Sequence, residues 1–147
     1  MIIVETVDVV VGIIFRDSKF LVERRKTDEK IDPGIICLPG GHVEPNENKE
    51  DAFKREMREE LNIKVKKSEF IKKDFWIASN SERQNVYYYL VTSYEGEPTP
   101  KSAKEIIWVE NTTELDILDD HNDIEKVRIR RIKDIINELL SDNRALN

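Results

Sequence analysis

Residues 49–62 carry two demands that few chains combine in one helix. Ala52, Phe53, Met57 and Leu61 recur at intervals of one, four and four, which stacks them on one face of a helix predicted over Glu50–Leu61. Glu56, Glu59 and Glu60 stand at i, i+3 and i+4, so three carboxylates share the flank beside that apolar face. Like charges at this spacing cost about 0.2–0.5 kcal/mol per pair, and Arg55 and Arg58 offset only part of that. A hard divalent cation would offset more, because carboxylate oxygens suit magnesium and leave it waters for a phosphate-bearing substrate. Taken alone, Arg55–Glu60 reads at least as well as a solvated, salt-bridged surface.

The surrounding pattern organises the rest of the chain. Val7–Phe15 is rich in valine and isoleucine and reads as a buried strand, joined by the turn residues Arg16-Asp17-Ser18 to a second strand over Lys19–Arg25. A polar loop with Asp32-Pro33-Gly34 leads to a short strand over Ile35–Leu38, which Pro39-Gly40-Gly41 breaks, and a second polar loop is expected as far as Lys49. Beyond the helix, Asn62 suits a left-handed cap. Strands are predicted at Ile63–Val65, Glu69–Ala78, Gln84–Ser93 and Glu105–Val109, with the loop Glu95–Pro100 before the last. A helical turn within Asn111–His121 and a final amphipathic helix carrying Ile124, Val127, Ile132, Ile135, Ile136, Leu139 and Leu140 complete the chain.

Composition narrows the class. With 147 residues and no repeat or linker, one domain over 1–147 is expected. A 39% apolar share supports a core, whereas 37% charged residues, against about 25% on average, imply an ionic surface. The net charge of −6 argues against binding a nucleic-acid polymer, which needs a basic face. Cys37, the single cysteine, excludes an internal disulfide and a cysteine zinc cage and is expected to pack as a small apolar residue. No apolar run reaches about 18 residues, and Val7–Phe15 lacks the basic start of a signal peptide, so no membrane association and a cytoplasmic location are expected.

Gly41, five residues, Glu47, seven residues, Arg55-Glu56, apolar Met57, one residue, Glu59-Glu60, one residue, Asn62 and apolar Ile63 form a spacing that resembles the Nudix box. One position departs, since the family pattern has glycine where this chain has Asn62. Leu38-Pro39-Gly40 also looks like the family's entry from strand to loop, and the order of elements on both sides extends the resemblance over most of the chain.

The resemblance implies an α/β fold, a Nudix-type α/β/α sandwich with a mixed, partly antiparallel sheet. It implies a Mg2+-dependent pyrophosphohydrolase, with Mn2+ able to substitute, acting on a diphosphate linkage in a small nucleotide. Glu56, Glu59 and Glu60 would bind the metal with the Gly40 carbonyl, Glu59 and Glu60 serving catalysis, while Glu47 and Arg55 would brace the loop against the helix. Glu105 looks like the family's late general base and equally like a solvated loop residue. Arg24 or Arg25 suits either a phosphate contact or an exposed basic strand end paired with the acidic surface, alternation keeps both from facing inward easily, and Tyr88 suits either base stacking or the core. For His42 and His121, a loop or cap role is expected over metal or phosphate contact. A nucleoside di- or triphosphate, including oxidised forms such as 8-oxo-dGTP, is the leading substrate class. ADP-ribose or a nucleotide sugar, and a non-catalytic nucleotide-binding module, are the alternatives. Family resemblance and the hydrophobic strands lean towards a homodimer.

Overall fold

The structure, a computed structural model, describes residues 5–118 and 123–142; His121 lies outside the described residues, as does the side chain of Ile124. The chain divides into two compact units, one of residues 1–13 and 39–102, the other of residues 14–38 and 103–147. Strand β1 (Thr6–Arg16) passes from the first into the second.

In the first unit, β4 (Gly40–His42) lies antiparallel to β1, with Val9 opposite His42, Val10 opposite Gly41 and Val11 opposite Gly40. The glycine pair was expected to break the chain into loop, and instead it forms a strand. Glycine permits this because a Cβ at Gly40 would stand only 2.2 Å from the Val10 carbonyl oxygen.

Helix α1 (Lys49–Leu61) follows. The Asn48 side chain accepts a hydrogen bond from the Asp51 amide at 2.8 Å, and Asn62 ends the helix in the left-handed conformation, φ 58°. The loop after Glu95 returns to that end, where the amides of Thr99 and Lys101 donate to the carbonyls of Leu61 (3.0 Å) and Glu60 (3.1 Å). These bonds satisfy carbonyls that a helix terminus leaves open. Ala52, Phe53, Met57 and Leu61 are buried as the spacing required. Burial of each of the three larger side chains contributes about 1.5–3 kcal/mol.

The two strands expected after the helix are one, β5 (Lys64–Ile77), paired antiparallel with β6 (Arg83–Glu95). Register shifts between Val65 and Ser68 and between Phe70 and Lys72 absorb the polar stretch that had read as a break. Along β6, Tyr87 and Tyr89 both meet Phe70, and Tyr89 also stacks on Phe53 at 4.8 Å, so Tyr88 takes the opposite face.

In the second unit, the end of β1 pairs with β2 (Lys19–Arg24) through a turn in which Asp17 and Ser18 both have positive φ, the geometry that matches strand twist in two-residue hairpins. β2 also pairs antiparallel with β3 (Ile36–Cys37) and β7 (Glu105–Val109). Cys37 is buried, as expected. After the short α2 (Glu114–Leu118), α3 (Asp123–Ser141) buries Ile129, Ile132, Ile135, Ile136 and Leu139. Their spacing defines the helix's apolar face, and Val127, counted on that face from sequence, falls outside it and is exposed. Glu125 is fully buried and accepts from the Ile36 amide at 3.1 Å. No helix among the described residues is long and apolar enough to cross a membrane.

Candidate functional site

The site in the first unit begins with the close approach of β4 to α1. A Cβ on Gly41 would stand 2.3 Å from the carboxyl carbon of Glu56 and 2.4 Å from both its oxygens. Position 41 is glycine because the Glu56 carboxylate occupies the space a side chain would fill. That carboxylate is buried, its side chain 10% exposed, whereas Glu59 is 56% exposed.

Arg55 ties the elements together. Its Nε and Nη2 donate to the two oxygens of Glu47 at 2.8 and 2.9 Å, the forked geometry that makes arginine–carboxylate pairs strong. Nη2 also donates to the His42 carbonyl at 3.0 Å, and Nη1 to Glu56 Oε1 and Glu59 Oε2, each at 3.0 Å. The loop before the helix is held as well, since the Glu44 amide donates to Glu47 Oε1 at 3.1 Å. One guanidinium therefore joins β4, the loop and two of the three helix glutamates.

Electrostatics separates these acids. The hydrogen bond from Arg55 holds Glu47 below the ordinary carboxylate pKa. Burial pushes Glu56 above it, and the hydrogen bond and charge of Arg55 offset only part of that penalty. Arg55 is raised, first by its hydrogen bond to Glu47. Among the described residues no three His, Cys, Asp or Glu side chains are already gathered as a cation cage.

Spacing did not single out Glu82. Its Oε1 accepts from His42 Nε2 at 2.6 Å and from Gln84 Nε2 at 2.9 Å, which lower its pKa, Gln84 most. His42 was expected in a loop and lies at the end of β4. Forty positions separate it from Glu82, and nothing in the sequence joins them.

The remaining candidates are structurally committed to different degrees. Tyr88, on β6, is 5% exposed. In the second unit, Arg24 donates to the carbonyls of Gly34 at 2.8 Å and Leu118 at 3.1 Å. Its Nε lies 3.4 Å from the half-exposed Glu105, its cross-strand partner. Arg25 is more exposed, bonding to the Ile31 carbonyl at 3.2 Å and lying 3.7 Å from Glu29.

The sequence profile of the NUDIX domain matches residues 6–135. The chain belongs to the Nudix family. As a Nudix hydrolase it is an enzyme of the class that cleaves pyrophosphate linkages in nucleotides. It is 29% identical over 105 residues to the 8-oxo-dGTP diphosphatase of Buchnera aphidicola subsp. Schizaphis graminum, covering 69% of this chain and 75% of that protein. It is 38% identical over 65 residues to the CTP pyrophosphohydrolase of Escherichia coli K12, covering 44% and 47%. The MutT NUDIX hydrolase of Burkholderia pseudomallei superposes with a TM-score of 0.69 at 25% identity, over 86% of this chain and 97% of that one. These likenesses agree with the α/β class and mixed sheet expected from the Nudix resemblance, and the sheet is open. At the one position that departs from the Nudix pattern, the left-handed Asn62 adopts the conformation for which glycine would serve.

Proposed function

We propose that this Nudix hydrolase cleaves the diphosphate linkage of a nucleoside triphosphate, oxidised forms such as 8-oxo-dGTP included. Relatives named for 8-oxo-dGTP and CTP support that substrate class. The observation that carries the reading is the seating of Glu56 against Gly41, which brings β4 and the glutamate flank of α1 together.

Nudix hydrolases generally use a divalent metal, and the residues here fit one. Glu56 is a buried carboxylate whose charge is only partly compensated, it lies against a glycine cradle, and Glu59 and Glu60 share its helix. Glu56, Glu59, Glu60 and the Gly40 carbonyl would hold Mg2+, or Mn2+ in its place. When bound, the metal supplies polarisation of phosphoryl oxygens and a lowered pKa for water. The chain's own contribution is positional: Arg55 and Glu47 fix the loop so that the carboxylates keep their orientation. By the Nudix resemblance we assign Glu59 and Glu60 to catalysis and Glu105 as the candidate general base. Among the substrate contacts, Arg25 is the better phosphate candidate, because Arg24 already holds two carbonyls and Glu105. Tyr88 would have to emerge from its buried position to stack a base.

The family match runs through both compact units, which supports reading 1–147 as one domain. A cytoplasmic homodimer acting on small nucleotides rather than polymers completes the proposal. Its test is a panel of canonical and oxidised nucleotides, ADP-ribose, dinucleoside polyphosphates and nucleotide sugars with Mg2+, run on wild type, Glu59→Gln and Glu60→Gln. Turnover of triphosphates that collapses in both folded variants is expected. Unchanged turnover in both would remove the metal assignment, and preference for ADP-ribose would replace the substrate.

A further inference from the structure

We infer that Glu82, in the turn between β5 and β6, is a positioning residue that acts on the glutamate site through His42. The inference rests on the proposed metal role of the β4–α1 site. An ionised carboxylate only accepts, so the 2.6 Å contact is a donation from His42 Nε2 to Glu82 Oε1. Glu82 is itself fixed: Gln84 donates to the same oxygen at 2.9 Å, its amide donates to Asn80 Oδ1 at 3.1 Å, and its carbonyl accepts from the Ala78 amide at 2.9 Å. On its other side His42 is fixed by Arg55, which donates to the His42 carbonyl at 3.0 Å. The Val43 amide continues the β1–β4 ladder by donating to the Asp8 carbonyl at 2.9 Å.

A continuous path of hydrogen bonds thus runs from the β5–β6 turn through His42 to Arg55, and from Arg55 to Glu47, Glu56 and Glu59. β4 has only three residues and two of them are glycine, which contribute no side-chain packing. Its position depends on clamps at its ends, and His42 is the clamp at the C-terminal end. Glu82 orients that side chain from further out than the direct partners of metal-site ligands, whose loss typically costs about 10- to 100-fold in metal affinity or activity, so the low end of that range is expected.

The test compares wild type with Glu82→Ala, Glu82→Gln, His42→Ala and the double variant Glu82→Ala/His42→Ala. Mn2+ affinity is measured by the loss of the free-ion electron paramagnetic resonance signal, kcat and KM on the best nucleotide of the panel, and amide exchange at Val43 by NMR. Glu82→Ala is expected to weaken Mn2+ binding about 10-fold, lower kcat with KM unchanged and accelerate exchange at Val43. Glu82→Gln, whose amide oxygen still accepts from His42, is expected to restore all three, and the double variant to lose no more than the worse single one. Wild-type Mn2+ affinity and exchange in Glu82→Ala, or single losses that simply add, would overturn the inference. A wild-type protein that hydrolyses nothing would instead sink the proposed function, and Mn2+ affinity with Val43 exchange would still decide the positioning role.

Discussion

Gly41 and Glu56 share one space: the carboxyl carbon of Glu56 lies 2.3 Å from where a side chain at position 41 would begin. Alanine at 41 must therefore displace the carboxylate. We predict that Gly41→Ala lowers kcat about 100-fold, the scale of a misplacement near 1 Å. Gly40→Ala, whose Cβ would meet main-chain oxygen at 2.2 Å, should lose more stability, because backbone yields less readily than a side-chain end. Steady-state kinetics and thermal unfolding of both variants check this. Full turnover in Gly41→Ala would show that the contact does not limit the reaction.

Glu56 predicts a pH dependence of the metal-free protein. Its pKa is raised by burial, so the folded state binds this proton more tightly than the unfolded chain does. Its contribution is fully present below the unfolded value, 4.5, and is lost as pH rises through the higher folded value. Metal-free Glu56→Gln should therefore gain stability relative to wild type as pH rises above about 4.5. Glu47 has the opposite sign: its lowered pKa gives stability that is present above 4.5 and lost as pH falls through the lower folded value. The destabilisation caused by Glu47→Gln should then shrink on acidification. Chemical denaturation in chelator across the pH range measures both slopes, and parallel curves for all three proteins would contradict them.

Phe53 is 1% exposed and stacked on Tyr89, so it anchors α1 to β6. Phe53→Ala should cost about 3–5 kcal/mol in unfolding free energy. A loss below about 1 kcal/mol, the size of an ordinary substitution, would mean that the helix is held elsewhere.

Arg24 and Arg25 should separate in mutagenesis. Losing the two carbonyl bonds of Arg24 is expected to cost about 1–3 kcal/mol of stability, while Arg25→Ala should stay within about 0.5 kcal/mol. If Arg25 contacts phosphate, its loss raises KM instead. The reverse pattern, a KM effect confined to Arg24→Ala, would assign the phosphate contact to Arg24.

Local rules carried much of this fold. The helix, its apolar face and the left-handed Asn62 were legible because periodicity and capping are set by neighbours in the chain. The β4 strand was not, because glycine signals a turn until another backbone is known to lie against it. Gly12 shows the same limit: a Cβ there would stand 2.8 Å from Met57 Sδ and 3.0 Å from the Phe53 ring, a close approach that the sequence of β1 does not mark. The Nudix spacing exposed Glu47 and Arg55 as partners, whereas the Glu82–His42 contact spans forty residues with no periodic signal. The commitment of Arg24 to carbonyls was hidden for a similar reason, since main-chain acceptors leave no mark in side-chain identity.

Arg55 is a cation tethered among the acids it neutralises, 3.0 Å from an oxygen of Glu56 and 3.0 Å from one of Glu59. A tether keeps the local concentration of such a charge high and constant. A divalent ion held by these glutamates, as proposed, would therefore meet acids whose charge is already partly balanced, and would be held less tightly than by bare carboxylates. The same arginine keeps the acidic flank of the helix from repelling itself when no ion is there.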